Sequence, residues 1–333
     1  MKYFVTGGTG FIGSRLIERL LKQGHRIHAL VRDPARAKTL IKTGAALFTG
    51  DITDRASVKR AMEGTDGVFH LAAIYKLGIR DKKAAVRVNV DGSRNVLETM
   101  MDLGIKKGVY TSSLAVFSDT HGRTFDESYR FEGRHITVYD ETKWRAHYEI
   151  AVPMMEKGLP LVIVLPGAVY GPGDSSSIGN GFVDYLNGSL KMVPVGTVLC
   201  WSYIDDVVQG HLLAMEKGMP QTSYIIAGPP APIEDAFLLL ERFSGVKAPG
   251  RRTSPRMLRI LSFFMKLLEL FVKPSAAYSS EGLRVMAGAT YLGDNRKAVN
   301  DLGYSPRSLE EGLRETVAHL VKTLGIIPAG TVQ

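Results

Sequence analysis

The stretch that most constrains the fold is the chain's first twenty-odd residues. Tyr3, Phe4 and Val5 form a short β-prone apolar run, and a glycine-rich turn follows at once, Thr6-Gly7-Gly8-Thr9-Gly10-Phe11-Ile12-Gly13. Leu16, Ile17, Leu20 and Leu21 then recur at helical spacing, with Arg15, Glu18, Arg19 and Lys22 between them. Gly8, Gly10 and Gly13 satisfy G-x-G-x-x-G, and Thr6-Gly7 adds a T-G-x-x-G-x-x-G reading. One glycine permits the tight turn, one lets backbone N–H groups approach a pyrophosphate, and one lets helix and strand pack closely. The helix start adds unpaired donors and the positive end of a dipole. An ordinary glycine-rich turn requires neither flanking element, so the chain is expected to open with a dinucleotide cradle formed by Gly7, Thr9, Gly10, Phe11 and Ile12.

A chain of 333 residues has ample length for one or two domains with a full core. Its 45% hydrophobic and 23% charged residues are those of a soluble globular protein. The net charge of +9 suits nucleic acid, an anionic membrane surface or a phosphorylated cofactor. No cluster of Lys and Arg interleaved with aromatics stands out, so no nucleic-acid partner is expected. The single cysteine, Cys200, excludes an intrachain disulfide and a multi-Cys metal site, and no metal is expected. Met1–Val5 is too short for a signal-peptide core, and no run of eighteen uncharged apolar residues exists. The expected location is the cytoplasm.

Apolar runs at Ile27–Val31, Leu47–Phe48, Gly67–Ala73, Gly108–Ser113, Leu161–Leu165 and Ser223–Ala227 read as further strands. Helical patterns at 35–41, 56–62, 84–103 and 139–157 alternate with them, and 118–138 reads as a long polar loop. The alternation predicts an α/β fold of the Rossmann type, a doubly wound parallel sheet covered on both faces. After the sixth strand the rhythm breaks into loop-rich sequence at 167–200, and Pro229-Pro230-Ala231-Pro232 marks a second break before three helical stretches. The expected organisation is a dinucleotide-binding domain over 1–168 to which 201–228 returns. A smaller, mainly helical substrate lobe takes 169–200 and 229–325, with a loose tail over 326–333.

Tyr139 and Lys143 stand four apart at a helix start and share a face. Thr111-Ser112-Ser113 closes the fifth strand, at the carboxyl edge where open parallel sheets place their ligands. A phenol ionises too high for easy proton exchange near neutrality, and a nearby ammonium lowers its pKa. A serine hydroxyl holds the oxygen of a carbonyl or alcohol. Such a set exchanges a proton with an oxygen while hydride moves to or from a nicotinamide. Y-x-x-x-K alone is a weak signal; behind a nucleotide fingerprint it becomes a strong one.

With these residues in place, the chain resembles the extended branch of the short-chain dehydrogenase/reductase superfamily from Met1 to about Leu320. Further matching landmarks are Asp51-Ile52, Leu71-Ala72-Ala73, Asn89-Val90 with Gly92, and Val169-Tyr170-Gly171-Pro172-Gly173-Asp174. Ile204-Asp205-Asp206-Val207 and Leu302-Gly303-Tyr304-Ser305-Pro306 also match. The resemblance implies Ser113, Tyr139 and Lys143 as catalytic, with Lys143 also holding the nicotinamide ribose. It implies Asp51 and Ile52 beside the adenine, and Leu71, Ala72 and Ala73 beside the ribose and pyrophosphate. Thr111, Pro166, Gly167 and Val169 complete the expected cofactor contacts, and Asp206 is expected to be structural. His70 is expected to be a satisfied core histidine, His121 and His135 to be solvated, His147 to pack within its helix, and Phe117 to face substrate.

Arg32-Asp33-Pro34 puts Arg, not an acid, just after the second strand, with Arg36 and Lys38 near. Arg32 and Lys38 suit a 2′-phosphate, so NADP, as NADPH, is favoured over NAD. Val-Arg-Asp-Pro also draws the chain toward dihydroflavonol reductase-like proteins within the superfamily. Sugar-nucleotide dehydratases usually put Asp-Glu after the catalytic Ser or Thr, where this chain has Leu114-Ala115. Nucleotide-sugar epimerases usually carry Arg where this chain has Leu199, and many carry Asn where it has Ala168. The expected function is reduction of a hydrophobic carbonyl, or oxidation of the corresponding secondary alcohol, by a monomer or homodimer. A nucleotide-sugar epimerase is the alternative, and a non-catalytic NADP-sensing protein the third. The expected substrate pocket draws on Val169, Tyr170, Phe182, Tyr185, Leu199 and Trp201.

Residues 256–273 read as an amphipathic helix with a wide apolar face. Arg256, Arg259, Ser262, Lys266, Glu269 and Lys273 form one narrow polar stripe, and leucines, Ile260 and three phenylalanines fill the rest. Burial in the lobe is the first expectation; a lid over an apolar substrate and a membrane-surface contact are the alternatives.

Overall fold

A computed structural model describes residues 1–326, with the side chains of Lys38 and Thr39 excepted. The role expected of the Lys38 side chain, and 327–333 of the expected tail, lie outside the described residues; Ile326, expected to start the tail, still donates its N–H to the Val321 carbonyl at 3.0 Å. The strands, in chain order, are β1 (Lys2–Thr6), β2 (Arg26–Val31), β3 (Ala46–Thr49), β4 (Gly67–His70), β5 (Gly108–Thr111) and β6 (Leu161–Pro166). Then come β7 (Ala168–Tyr170), β8 (Val193–Pro194), β9 (Val198–Tyr203), β10 (Thr222–Ile226), β11 (Pro230–Pro232), β12 (Arg252–Thr253) and β13 (Thr290–Tyr291).

Seven of them form one parallel sheet in the order β10-β6-β5-β4-β1-β2-β3. The order reverses between β1 and β4, which creates the crevice at the carboxyl ends where such sheets bind ligands. Val5, Phe69, Val109 and Val164 pack toward one helical layer, and Phe4, Val68, Tyr110 and Ile163 toward the other. That two-sided burial is why these strands read as continuous apolar runs rather than alternating ones. The fold is the doubly wound Rossmann type.

Two strands are shorter than expected. β4 stops at His70 and β5 at Thr111, where the paired registers end; Leu71 and Ser112 each give one last N–H, to the Thr6 and Val164 carbonyls, before the chain leaves the sheet. The helix after Tyr139 runs from Val138 to Glu156 but widens to π geometry over Ala146–Ala151. Pro153 follows the widened turn; without an N–H and with a ring that crowds the preceding turn, it does not fit a regular helix interior.

The loop-rich reading of 167–200 missed a helix at Ser177–Leu186, whose Gly179 and Gly181 masked its apolar spacing. The three helical stretches expected after Pro232 are five: Ile233–Ser244, Pro255–Leu268, Ser280–Val285, Arg296–Leu302 and Leu309–Leu324. β9 pairs with β7, β11 and β13 in a small separate sheet, while β10 returns to the central one.

The helix at Pro255–Leu268 corrects the burial expectation. Only Leu258 and Ser262 are buried, and Ile260, Phe263, Phe264, Leu267 and Leu268 face solvent. The helix also stops at Leu268 rather than Lys273, with a turn through Leu270 and Phe271 ahead of Pro274.

Candidate active site

The glycine turn joins β1 to the helix Phe11–Lys22. Gly7 sits at φ +73°, and a Cβ on it would lie 2.7 Å from the backbone nitrogen of Ala72. A Cβ on Gly13 would lie 2.2 Å from the carbonyl oxygen of Gly7, so helix and turn touch through backbone alone. Gly10 donates its N–H to that same oxygen at 2.9 Å and occupies the N-cap without a side-chain cap. The first-turn N–H groups therefore have no internal partner, and no acidic side chain competes for them. Thr9 and Gly10 are exposed, and Phe11 and Ile12 half-buried. This is a backbone cradle with free N–H donors at a helix start, so the residues present fit the phosphates of a dinucleotide.

The other expected cofactor contacts gather along the same edge. Thr6 Oγ1 accepts the N–H groups of Leu71 and Ala72, each at 3.2 Å, which presses the segment after β4 against the glycine turn. Ala73 continues that half-buried segment. Asp51 accepts from the N–H and hydroxyl of Thr53, both at 2.9 Å, closing the turn after β3, and Ile52 is buried behind it. Arg32 is exposed at the end of β2. Asp33 is committed locally: Oδ1 accepts from Ala35 N–H at 2.9 Å and Oδ2 lies 3.5 Å from Arg36. Thr111 turns its hydroxyl to His211 at 2.8 Å, so the carbonyl, not the side chain, faces the edge. Pro166 ends β6, the Gly167 N–H donates to Ser202 Oγ at 3.2 Å, and Val169 lies half-buried in β7.

Ser113, Tyr139 and Lys143 come together at the carboxyl end of β5. Ser113 caps the 3-10 turn Leu114–Phe117, accepting from Ala115 N–H at 3.1 Å, and its hydroxyl lies near enough to the Tyr139 phenol to act on its ionisation. Lys143 is buried and donates to the Thr111 carbonyl at 2.7 Å and the Tyr110 hydroxyl at 3.2 Å. Burial pushes its pKa down to about 7, because desolvation disfavours the ammonium. The Tyr139 phenol moves the other way. Burial, then the neighbouring Tyr75, raise it above the ordinary phenol range, and the Ser113 hydroxyl nearby offsets only part of that rise. In the protein alone, the phenol is held in its protonated form.

Around this set lies polar support that the sequence reading did not single out. Tyr75 packs edge-on against Tyr139 with centroids 4.9 Å apart. Asp140 is buried, accepts from the Thr137 hydroxyl at 2.7 Å and from Tyr291 at 3.1 Å, and has its carboxyl raised to about 7 by burial. Glu281 accepts the N–H groups of Val138 and Gly78 at 2.9 Å, tying the lobe to the start of the Tyr139 helix. Thr137-Val138-Tyr139-Asp140 has capping-box spacing, a signal visible in the sequence. Tyr75 and Glu281 had none, since only the fold brings them near.

Other expectations divide. His70 bonds Thr6 at 2.7 Å and Ser93 at 2.9 Å, and burial pushes it down to about 3, so it is a satisfied neutral core residue. His147 packs in the helix layer, bonded to Ser112 at 2.8 Å. Asp206 is structural, holding the Arg307 N–H at 2.9 Å and its guanidinium at 3.1 Å. His121 is exposed, but His135 is half-buried between Phe131 and Trp144 rather than solvated. Phe117, expected to face substrate, is fully buried, because the turn that Ser113 caps folds it into the core, edge-on to Tyr129.

In the lobe an apolar cavity opens between the segment leaving β6 and the later helices. Phe182, Leu199, Trp201, Phe237, Leu258 and Met286 are among its walls. Tyr170 and Tyr185, expected there, are core residues instead, with their hydroxyls on the carbonyls of Leu309 and Val246. A larger, shallower hollow, lined partly by Met100, Lys106 and Lys157, lies before β5 and β6, at the opposite edge of the sheet from these side chains. Among the described residues no cluster of three metal-ligating side chains occurs, and no helix is long and apolar enough to cross a membrane.

Comparison with known proteins agrees with this architecture. Residues 3–227 match the family model described as "NAD dependent epimerase/dehydratase family". A Synechocystis protein carrying the name dihydroflavonol 4-reductase is 33% identical over 95% of this chain and 93% of its own length. A 3-beta-hydroxysteroid dehydrogenase of Mycolicibacterium neoaurum is 29% identical, covering 92% of this chain and 87% of its own. Among solved structures, UDP-glucose 4-epimerase of Thermotoga maritima superposes with a TM-score of 0.78 at 25% identity, covering 97% of this chain and 100% of that one. The chain belongs to the NAD dependent epimerase/dehydratase family, and is an NAD(P)-dependent enzyme of the extended short-chain dehydrogenase/reductase type.

Proposed function

We propose that the protein reduces the carbonyl of a hydrophobic small molecule with NADPH, using Ser113, Tyr139 and Lys143. The observation that carries this reading is the lobe cavity, whose wall at Leu199 is apolar where a diphosphate would call for charge-assisted donors. The steroid and flavonol names of the relatives point the same way, while the epimerase neighbour keeps the sugar-nucleotide alternative in view. A bound nicotinamide nucleotide supplies the hydride. Ser113 holds the substrate oxygen, and Tyr139, protonated in its buried setting, donates to that oxygen as negative charge develops. Lys143 fits the nicotinamide ribose and supplies positive charge beside the phenol when that hydroxyl pair engages it.

The test is a panel of aromatic and alicyclic ketones with NADPH, set against binding of uridine diphosphate. Turnover of at least one ketone is expected, with no uridine diphosphate binding at micromolar concentration. Micromolar uridine diphosphate binding with no ketone reduced would replace the reductase by the epimerase.

Preference for the 2′-phosphorylated cofactor rests on Arg32, with the Asp33 carboxylate engaged by Ala35 and Arg36. Arg32→Ala is expected to weaken NADPH binding about tenfold or more and to leave NADH binding nearly unchanged. Parallel fluorescence titrations read both. Tighter NADH than NADPH binding, indifferent to Arg32→Ala, would hand the ribose to Asp33.

A further inference from the structure

The helix Pro255–Leu268 buries only Leu258 and Ser262, with Met265 packed beside Leu258, and leaves most of both its polar and its apolar side exposed. Two of its polar residues bond the neighbouring segment: buried Ser262 Oγ donates to the Ser280 carbonyl at 2.8 Å, and Arg259, otherwise exposed, to the Ala287 carbonyl at 3.3 Å. Just beyond the helix, Glu269 accepts the N–H and hydroxyl of Ser280 at 2.7 and 2.8 Å. Arg80 crosses from the first half of the chain to bond the carbonyls of Glu269 and Val272, which fixes the turn that follows. Most of the apolar side is left outward. Phe263 and Phe264 are 64% and 61% exposed, Leu270 and Phe271 78% and 85%, and Ile260, Leu267, Leu268 and Val272 join them.

Scattered exposed apolar residues need no explanation, but a contiguous set on one helix and its following turn marks an interaction surface. Charge decides the partner. Residues 251–273 hold Arg251, Arg252, Arg256, Arg259, Lys266 and Lys273 against the single acid Glu269, whose carboxylate is turned inward onto Ser280. A second copy meeting this face isologously would set the same cations against each other. An anionic bilayer complements both features, taking phenylalanines and leucines below the headgroups and lysines and arginines among the phosphates.

We propose that this helix and its following turn seat the protein on an anionic membrane surface. Leu258, on the inner side of the same helix, lines the lobe cavity, so docked face and cavity are two sides of one element. If the hydrophobic-substrate reading holds, the substrate reaches the cavity from the lipid phase. That consequence rests on the proposed function, whereas docking itself does not.

The full-length protein should co-sediment with vesicles of phosphatidylcholine containing roughly a third phosphatidylglycerol, and much less with phosphatidylcholine alone or in about 0.5 M salt. A variant carrying Phe263→Ser, Phe264→Ser and Phe271→Ser should lose about tenfold or more of the vesicle affinity while keeping its melting temperature and cofactor binding. Ketone turnover in detergent-free buffer is measured alongside, so that failure of docking and failure of the proposed chemistry are read separately. Three outcomes would overturn docking: no sedimentation with either vesicle, equal sedimentation of parent and variant, or a dimer in gel filtration that the triple variant dissociates.

Discussion

Tyr139→Phe is expected to leave a folded, cofactor-binding protein whose turnover falls by about a hundredfold or more. The phenyl ring keeps its edge contact with Tyr75, so the substitution removes a hydroxyl and no packing. The melting temperature should therefore stay within about 2 °C of the parent. The loss should fall on kcat, because the proton is transferred only as the carbonyl becomes an alkoxide. Burial, which raises the phenol, makes Tyr139 a donor through the neutral range, so the effect should be read in the direction of carbonyl reduction. A variant that reduces the ketone at the parent rate would remove Tyr139 from the chemistry and return the site to the sensor reading.

The parts of this site that were legible in the sequence are those whose chemistry is local. A strand, a glycine turn and a helix within about twenty residues constrain one another, so the cradle at Gly7–Gly13 could be placed before any long-range contact was known. Tyr139 and Lys143 share a helix face by spacing alone. What escaped is what only long-range folding creates. Lys143 was expected to act on Tyr139 directly, but β5 brings Tyr110 and the Thr111 carbonyl nearer, and they take the ammonium's hydrogen bonds. Phe117 was expected to face substrate because the resemblance often puts Tyr at its position, yet the capped turn at Ser113 carries it into the core. The helix at 255–268 shows the reverse case. Its amphipathic pattern was plain, but period alone does not say how much of the apolar face is covered, and here the inward contacts come from Leu258, Met265 and Ser262, which leaves the phenylalanines outward.

The two glycines at Gly10 and Gly13 should separate fold from cofactor binding. Gly13→Ala puts a methyl 2.2 Å from the Gly7 oxygen and 2.8 Å from the Gly7 carbonyl carbon. Gly7 has nowhere to retreat: its own Cα side lies against the backbone of Leu71 and Ala72, and its oxygen holds the Gly10 N–H. The helix must therefore move off the turn, which costs about 1–3 kcal/mol and lowers the melting temperature by on the order of 5 °C. The displaced N–H groups should weaken NADPH binding by on the order of a hundredfold. Gly10→Ala differs in kind. Gly10 has φ −81° and ψ 172°, which alanine adopts freely, and its methyl would meet only the Gly7 oxygen, at 3.2 Å, with open space elsewhere. Its melting temperature should stay within about 2 °C of the parent. NADPH affinity should still drop about tenfold or more, because that methyl occupies the side on which a phosphate approaches the backbone. Calorimetric melting and cofactor titration of the two variants side by side make the test. Parent-like affinity in Gly10→Ala would move the phosphate away from this turn, and parent-like stability in Gly13→Ala would refute the backbone contact that makes the third glycine necessary.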